Sequence, residues 1–423
     1  MSNTLSIDAG SYHFRKNSKP WFYLADTCWS AFTNIALSQW EQYLDHRRAQ
    51  GFNALQVTIL PQWDRSQGYS HPEPFKSRGG RWDYGAPNLE YFQRAREMLA
   101  RAQTRGFTPA LVLLWCDCVG GSWAADRLPG HEIHPDEVEP WARYVAETFA
   151  EFDPLYLVSG DTDFKNPRTL ETYLAALRAI KRHAPTSLTT LHLQPEADLP
   201  EQIVRARELD FYMFQSGHQE EHLSRSWLLA ERFLGKSVRR PVINGEPCYE
   251  GHGFGFRYGR FSAWHVRQAI WQSLLSGAKA GVTYGAHGIW SWHEPGKTFP
   301  SAAFSAAPYP WYVALRFPGA WDAGYARRLF EGYALSDLQP LGAIGGQDEI
   351  RAAASPELAK IAVYFPYAAE QELPWDLSGY DCLLIDLADR RELEPVLAAG
   401  AKGHSLLRLP EVNADVLLLA RRR

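Results

Sequence analysis

Long runs of lysine and arginine are missing from this 423-residue sequence: its one compact basic cluster, Arg421-Arg422-Arg423, closes the chain, and the formal net charge is −4. A nucleic-acid partner, which needs a basic stripe to neutralise phosphates, is therefore not expected. No apolar run is long enough to span a bilayer, and the opening Met1-Ser-Asn-Thr-Leu-Ser-Ile-Asp8 has neither the basic nor the apolar region of a secretory signal. The sequence reads as a cytoplasmic protein with no membrane partner. Cysteine is scarce: five residues (28, 116, 118, 248, 382), an odd number without disulfide-scaffold spacing, fit reduced thiols. No glycine-rich phosphate fingerprint follows the first predicted strand, which argues against a dinucleotide fold. Ser–His–acid chemistry lacks its Gly-x-Ser-x-Gly elbow. Cys116, Asp117, Cys118, His131 and His134 share one loop region, but a lone Cys-x-Cys, with no His-x-His after the first strand, does not make a metal site. No metal or other cofactor is expected.

What is present is a folded protein's composition, 45% apolar and 22% charged. Aromatic content is high, at 13% with 16 tryptophans, more than core packing alone demands. Platforms for the apolar faces of sugars would account for part of it. The length exceeds one ordinary compact domain, although an α/β barrel absorbs most of it.

The chain alternates strand and helix. Two short strands, 11–14 and 20–25, flank a polar turn, and the second opens the series. Helix 38–50 follows, with Trp40, Tyr43, Leu44 and Arg47 at helical spacing and Gly51 as its stop. Strand 54–59 then opens into a long aromatic loop, 60–88, which includes Trp63, Asp64, Arg65, Tyr69 and Trp82. Such a loop is expected to wall a closed pocket. The rhythm continues through helix 89–105, strand 109–114, helix 137–152, strand 155–159 and helix 168–183. Strand 188–192, helix 200–208, strand 211–215, helix 223–234, strand 242–245, helix 262–278 and strand 281–284 complete it. Eight such units predict a closed (β/α)8 TIM barrel over residues 1–341, with a helical pattern to about residue 335. From residue 342 short β-like runs (350–354, 361–365, 382–386, 405–409, 416–419) alternate with turns, predicting a small antiparallel β-domain over 342–423 that is dispensable for chemistry.

Two carboxylates stand at strand ends. Leu155-Tyr-Leu-Val-Ser159 runs into Gly160-Asp161, and Pro241-Val-Ile-Asn-Gly245 delivers Glu246, with Pro247 barring further strand. In a parallel barrel the strand ends converge on one face, so acids at the fourth and seventh strands can meet, and a carboxylate pair is what glycosidic cleavage requires. Each acid taken singly could equally cap a helix or hold a basic side chain. Asp163 rivals Asp161 as the acid. Asp26, Asp64 and Glu294 also follow strands and could bind sugar hydroxyls, or fix loops through buried ion pairs. Trp29, Trp115, Trp290 and Trp292 sit where a sugar face would stack.

Six short motifs in order resemble the apiosidase-like glycoside hydrolases. They are Phe22-Tyr-Leu-Ala-Asp26-Thr-Cys-Trp29, Gly51-Phe-Asn-Ala-Leu-Gln-Val57, Leu113-Leu-Trp115, Val158-Ser-Gly-Asp161, Asn244-Gly-Glu246-Pro-Cys-Tyr-Glu250 and Tyr284-Gly-Ala-His-Gly-Ile-Trp290. Ser159 stands where the family more often has glycine. The resemblance implies a (β/α)8 barrel with a C-terminal β-domain, an Asp acid/base after strand four, here Asp161, and a Glu nucleophile after strand seven, here Glu246. Tyr249 and His287, within the last two motifs, join Asp26, Trp29, Asp64, Trp115, Trp290 and Trp292 as candidate contacts to a carbohydrate substrate. The expected enzyme is an exo-acting, retaining glycosidase for apiose or another short glycoside. Its Asp161 carboxyl should hold its proton through burial and the nearby charge of Glu246, which itself stays ionised. The alternatives are a carbohydrate-binding barrel without turnover, or a hydrolase of another linkage on the same fold.

Overall fold

The structure is a computed structural model that describes residues 5–70, 72–367, 369–408 and 414–423. Eight strands form one sheet: β1 (Tyr23–Thr27), β2 (Ala54–Thr58), β3 (Thr108–Trp115), β4 (Leu155–Gly160), β5 (Thr189–Thr190), β6 (Tyr212–Gln215), β7 (Val242–Glu246) and β8 (Gly281–Tyr284). Their order is β5-β4-β3-β2-β1-β8-β7-β6, and every pairing is parallel. Between β5 and β6 the circuit is closed by two bonds: Asp210 N–H donates to the Thr189 carbonyl (3.0 Å), and Thr190 Oγ1 donates to the Phe211 carbonyl (2.7 Å). Strands covered on both faces read as continuous apolar runs, and β3, Thr-Pro-Ala-Leu-Val-Leu-Leu-Trp, is buried throughout. This is the predicted (β/α)8 TIM barrel.

Helices α1 (Leu37–Ala49), α2 (Leu89–Thr104), α3 (Val138–Phe149), α4 (Pro167–His183), α5 (Arg225–Leu234), α6 (Ala263–Leu275) and α7 (Gly319–Gly332) flank the sheet. In α1 the buried residues are Trp40, Tyr43, Leu44 and Arg47, the i, i+3, i+4, i+7 stripe that faces a core. Pro167 opens α4 behind an Asn166 side chain that accepts the Arg168 N–H, so one orphan donor is satisfied and the missing proline N–H costs nothing. The fifth unit departs from expectation. Its strand shrinks to two residues, and the predicted helix 200–208 becomes a single turn, Glu201–Val204. The Arg240 guanidinium donates to the Val204 and Ala206 carbonyls (2.6 and 2.8 Å), a side chain occupying acceptors that a longer helix would use itself.

The first predicted strands are also redistributed. Leu5–Ser6, Phe14–Lys16 and Lys19–Trp21 make a small antiparallel sheet separate from β1. Phe14 and Trp21 from it pack with Tyr23 and Phe211 at the N-terminal strand ends and plug that end of the barrel. One continuous cluster runs from this plug through Ala25, Val112, Leu157 and Ile243 to Trp29, Trp115, Tyr249 and Trp290 at the opposite mouth.

After the barrel, six antiparallel strands (Gln339–Ile344, Gln347–Ala354, Lys360–Phe365, Val416–Arg422, Tyr380–Asp386, Arg391–Leu393, in spatial order) form a second sheet. A three-stranded sheet (Gln371–Leu373, Ser405–Arg408, Val396–Ala399) packs with it. The sheet begins at Gln339, ahead of the predicted residue 342, and the final residue of predicted strand 405–409 lies outside the described residues. Ala353, Tyr364, Ile385 and Leu417 share the barrel's apolar core. At that seam Arg267 of α6 donates to both Asp415 oxygens and to Asp322 of α7, to which Arg390 also donates. No helix among the described residues is long and apolar enough to cross a membrane.

Candidate active site

A cavity of about 560 Å3 opens over the C-terminal ends of the barrel strands. Its floor and walls include Trp29, Asp64, Trp115, Asp161, Gln215, His218, Glu246, Tyr249 and Trp290. Lining residues stand at or after the C-terminal ends of all eight strands, as the topology of a parallel barrel requires.

Strand β4 ends at Gly160, and its glycine is obligatory: a Cβ there would lie 2.0 Å from the Trp115 ring. The following residue, Asp161, adopts a left-handed backbone (φ 49°), a conformation that costs a non-glycine residue energy and that is repaid by two bonds. Its N–H donates to His192 Nδ1 (3.0 Å), and its carbonyl accepts from Trp123 Nε1 (2.7 Å). The carboxyl faces the cavity yet is densely surrounded by protein. Burial first, then the charge of Glu246, with Asp64, Asp163 and Asp117 adding, pushes its pKa well above the usual carboxylate range.

Glu246, the last residue of β7, is held the opposite way. His218 Nε2 (2.8 Å) and Gln215 Nε2 (3.1 Å) meet its Oε1, and His192 Nε2 lies 3.2 Å from Oε2. Burial alone would raise this carboxyl, but its His192 and His218 neighbours outweigh burial and bring the pKa down to about 2. Two carboxyls on one cavity thus titrate in opposite directions, the division expected between a proton donor and an ionised partner. Two further acids are pushed up, chiefly by burial: Asp64, on the cavity wall, to about 6, and Asp117 beneath it to about 7. Asp64 accepts from Gln62 Nε2 (2.8 Å), and Asp117 accepts the Trp63 N–H (2.7 Å).

Not every predicted contact reaches the cavity. Side chains alternate along β1, so Tyr23 and Ala25 point into the barrel while Asp26 points outward, against α1. There Asp26 Oδ2 is fully buried on Arg47 Nε (2.6 Å) and the Tyr43 hydroxyl (2.7 Å). It is an ion pair between sheet and helix, not a substrate contact. Removing one partner of a buried pair strands the other, so Asp26→Ala is expected to cost about 3–5 kcal/mol. A fall in the denaturation midpoint with unchanged KM in the folded fraction is the expected measurement. Trp292 is likewise core, stacked on Trp311 at 4.7 Å. His287 lies behind the wall, where Nδ1 accepts from Trp290 Nε1 (3.1 Å) and Nε2 faces the Ala306 carbonyl (3.0 Å). It orients Trp290 rather than touching the cavity. Glu294 accepts from Gln39 Nε2 (2.6 Å), away from the site. Asp163, the rival acid, does not line the cavity and is occupied by Gln194 Nε2 (3.2 Å) and Lys165 Nζ (3.5 Å).

The long loop splits its roles. Gln62, Trp63 and Asp64 line the cavity, whereas Arg65 bonds the Gln62 carbonyl, Tyr69 bonds the Trp292 carbonyl, and Trp82 stacks on His131 at 3.5 Å. Within it Phe75–Arg78 and Arg81–Pro87 pair as a hairpin. His131 is thus engaged with Trp82, and His134 accepts the Asp136 N–H in a turn. Among the described residues no group of three or more His, Cys, Asp or Glu side chains is placed to hold a metal ion.

His192, Gln215 and His218 were not among the sequence candidates, though they carry the contacts of Glu246. His192 follows β5, Gln215 ends β6 and His218 follows it, but a lone polar residue at such a position carries no pattern of its own. At the mouth, Trp123, Arg127, Phe256 and Phe304 are further lining residues from loops that sequence periodicity does not place.

The sequence model of the family described as "Apiosidase-like, catalytic domain" matches residues 8–337, which hold the whole barrel and every cavity residue. The chain belongs to this family. Like other apiosidase-like chains by that model, it has a catalytic domain of a glycosidase. Two solved structures share its fold over nearly the whole chain. One, described as a glycoside hydrolase, has a TM-score of 0.81 at 20% identity and covers 99% of this chain and 97% of its own. The other, a glycoside hydrolase family 5 protein from Bacteroides vulgatus, has a TM-score of 0.80 at 20% identity and covers 99% and 93%. Comparison with curated proteins gives no match.

Proposed function

We propose that this apiosidase-like barrel is an exo-acting, retaining glycosidase that releases a terminal apiose or another furanose from a short glycoside. The observation that carries the reading is the opposed titration of Asp161 and Glu246 on one cavity. Asp161 passes its proton to the glycosidic oxygen while the Glu246 carboxylate attacks the anomeric carbon; the C–O bond breaks and the leaving group departs as an alcohol. Asp161, now a carboxylate, takes a proton from water, whose oxygen attacks the anomeric carbon and releases Glu246. Trp29 and Trp115, 5.2 Å apart and tilted, and Trp290 offer apolar faces to the sugar, and Asp64 offers a carboxyl to its hydroxyls.

The cavity's modest volume and its two pairs of aromatic wall residues, Trp63 with Trp123 and Phe256 with Phe304, support attack on chain ends rather than within a polymer. The family match supports apiose as the first sugar to try. Among the described residues none beyond residue 305 lines the cavity, which supports a β-domain dispensable for the chemistry itself. All five cysteines are unpaired, which supports a reducing, cytoplasmic setting. A panel of nitrophenyl glycosides that includes furanosides tests the reading. Release from at least one, with no early fall in viscosity of any polysaccharide cleaved, is expected. Silence across the panel would favour a binding barrel, and rapid viscosity loss would contradict exo action.

A further inference from the structure

His192 touches both halves of the site, and its two ring nitrogens do different things. The ring is fully buried between Trp29 (5.4 Å) and Trp115 (6.0 Å, nearly parallel). Its own carbonyl is pinned by Ser159 Oγ (2.8 Å), so backbone and ring are both fixed to the end of β4. The Asp161 N–H donates to Nδ1, which requires that nitrogen to be bare and leaves the ring proton on Nε2. Nε2 points at Glu246 Oε2, 3.2 Å away and off the line of a good hydrogen bond. Among the described residues neither of these two buried atoms has another hydrogen-bond partner. The His192 ring nevertheless already helps lower the Glu246 pKa, and catalytic bonds that are poorly aligned without substrate tighten once it binds.

We infer that His192 is the positioning residue of the catalytic pair: through Nδ1 it holds the left-handed turn that presents Asp161, and through Nε2–H it serves the second oxygen of Glu246, Oε2. It touches no substrate, since it does not line the cavity. The inference rests on the glycosidase reading above. It differs from the role of His218, which meets the other oxygen, lines the cavity, and stands in a row of rings with His252 (4.5 Å) and His287 (a further 5.0 Å). The titratable groups facing Glu246 are His192 after β5, His218 after β6, Tyr249 after β7, Asp64 after β2 and Asp161 after β4. Only His192 also bonds the residue that carries the acid.

Side-chain length separates the two contacts. Asparagine places an amide oxygen near Nδ1 but does not reach Nε2; glutamine places an amide N–H near Nε2 but leaves the Asp161 N–H unmet. In His192→Asn the acidic limb of kcat/KM is expected to rise by about one to two pH units, because Glu246 loses a donor to its charged form. In His192→Gln that limb should stay near the wild-type position, while kcat falls about 10- to 100-fold as the acid is misplaced. An acidic limb unmoved in His192→Asn, or identical profiles in both variants, would overturn the inference while leaving an active wild type and the glycosidase reading intact. A wild type silent on every glycoside would overturn that reading and this inference together. Should His192→Asn fail to fold, 15N-histidine spectra of the wild type decide the matter. The resonances lost in His192→Gln must be those of an Nε2-protonated ring with bare Nδ1, and an Nδ1-protonated ring overturns the inference.

Discussion

Glu246→Gln is expected to lower kcat by about four orders of magnitude or more, with KM changed far less. The amide keeps the shape and still meets the donors His218 and Gln215 through its oxygen, so the cavity survives. What is lost is the charge that, in the proposed mechanism, attacks the anomeric carbon. Because His192 and His218 overcome burial and hold the Glu246 pKa near 2, the wild-type acidic limb of kcat/KM should lie near that value. The same depression is a stability contribution: present above the unfolded carboxyl's ordinary value, it is lost as pH falls through about 2.

The second large effect is expected at Asp161 and depends on the leaving group. Asp161→Asn should slow glycosides of alcohols, which need a proton to depart, by about 10^2 to 10^4-fold, and activated aryl glycosides much less in the first step. The basic limb of the pH profile should vanish with the carboxyl. Stability should move the other way. A carboxyl whose folded pKa is raised by burial and by Glu246 binds more protons folded than unfolded, so its ionisation opposes folding as pH climbs above the unfolded value. Asp161→Asn removes that opposition and should melt at a higher temperature than wild type at neutral pH. Equal slowing of alkyl and aryl substrates, or loss of activity in Asp163→Asn with Asp161→Asn intact, would contradict the assignment.

The barrel was legible because parallel strands buried on both faces are written as uninterrupted apolar runs, such as Leu155-Tyr-Leu-Val and Ala110-Leu-Val-Leu-Leu. The acids were legible because they stand where those runs stop. Legibility failed where a side chain's direction, not its position along the chain, decides its role. Asp26 and Trp29 sit three residues apart in one motif, yet the first turns outward to Arg47 and the second lines the cavity. Trp290 and Trp292 divide in the same way between cavity and core. The fifth unit was over-read because nothing in residues 200–208 announces that Arg240, far along the chain, will take their carbonyls. His192 and His218 were passed over because a lone histidine after a strand carries no pattern until its partner carboxylate is in place.

The most direct test is the product formed when azide replaces the missing carboxylate. For Glu246→Ala, a small anion fits the space left on the far side of the sugar, and a double-displacement enzyme should yield a glycosyl azide of anomeric configuration opposite to the substrate. For Asp161→Ala the glycosyl-enzyme forms normally with an activated substrate, and azide should yield the same configuration as the substrate. The anomeric configuration of the two glycosyl azides, read by proton NMR, is therefore predicted to be opposite for the two variants. Full turnover by Glu246→Ala without azide, or the same anomer from both variants, would contradict the assignment of nucleophile and acid/base.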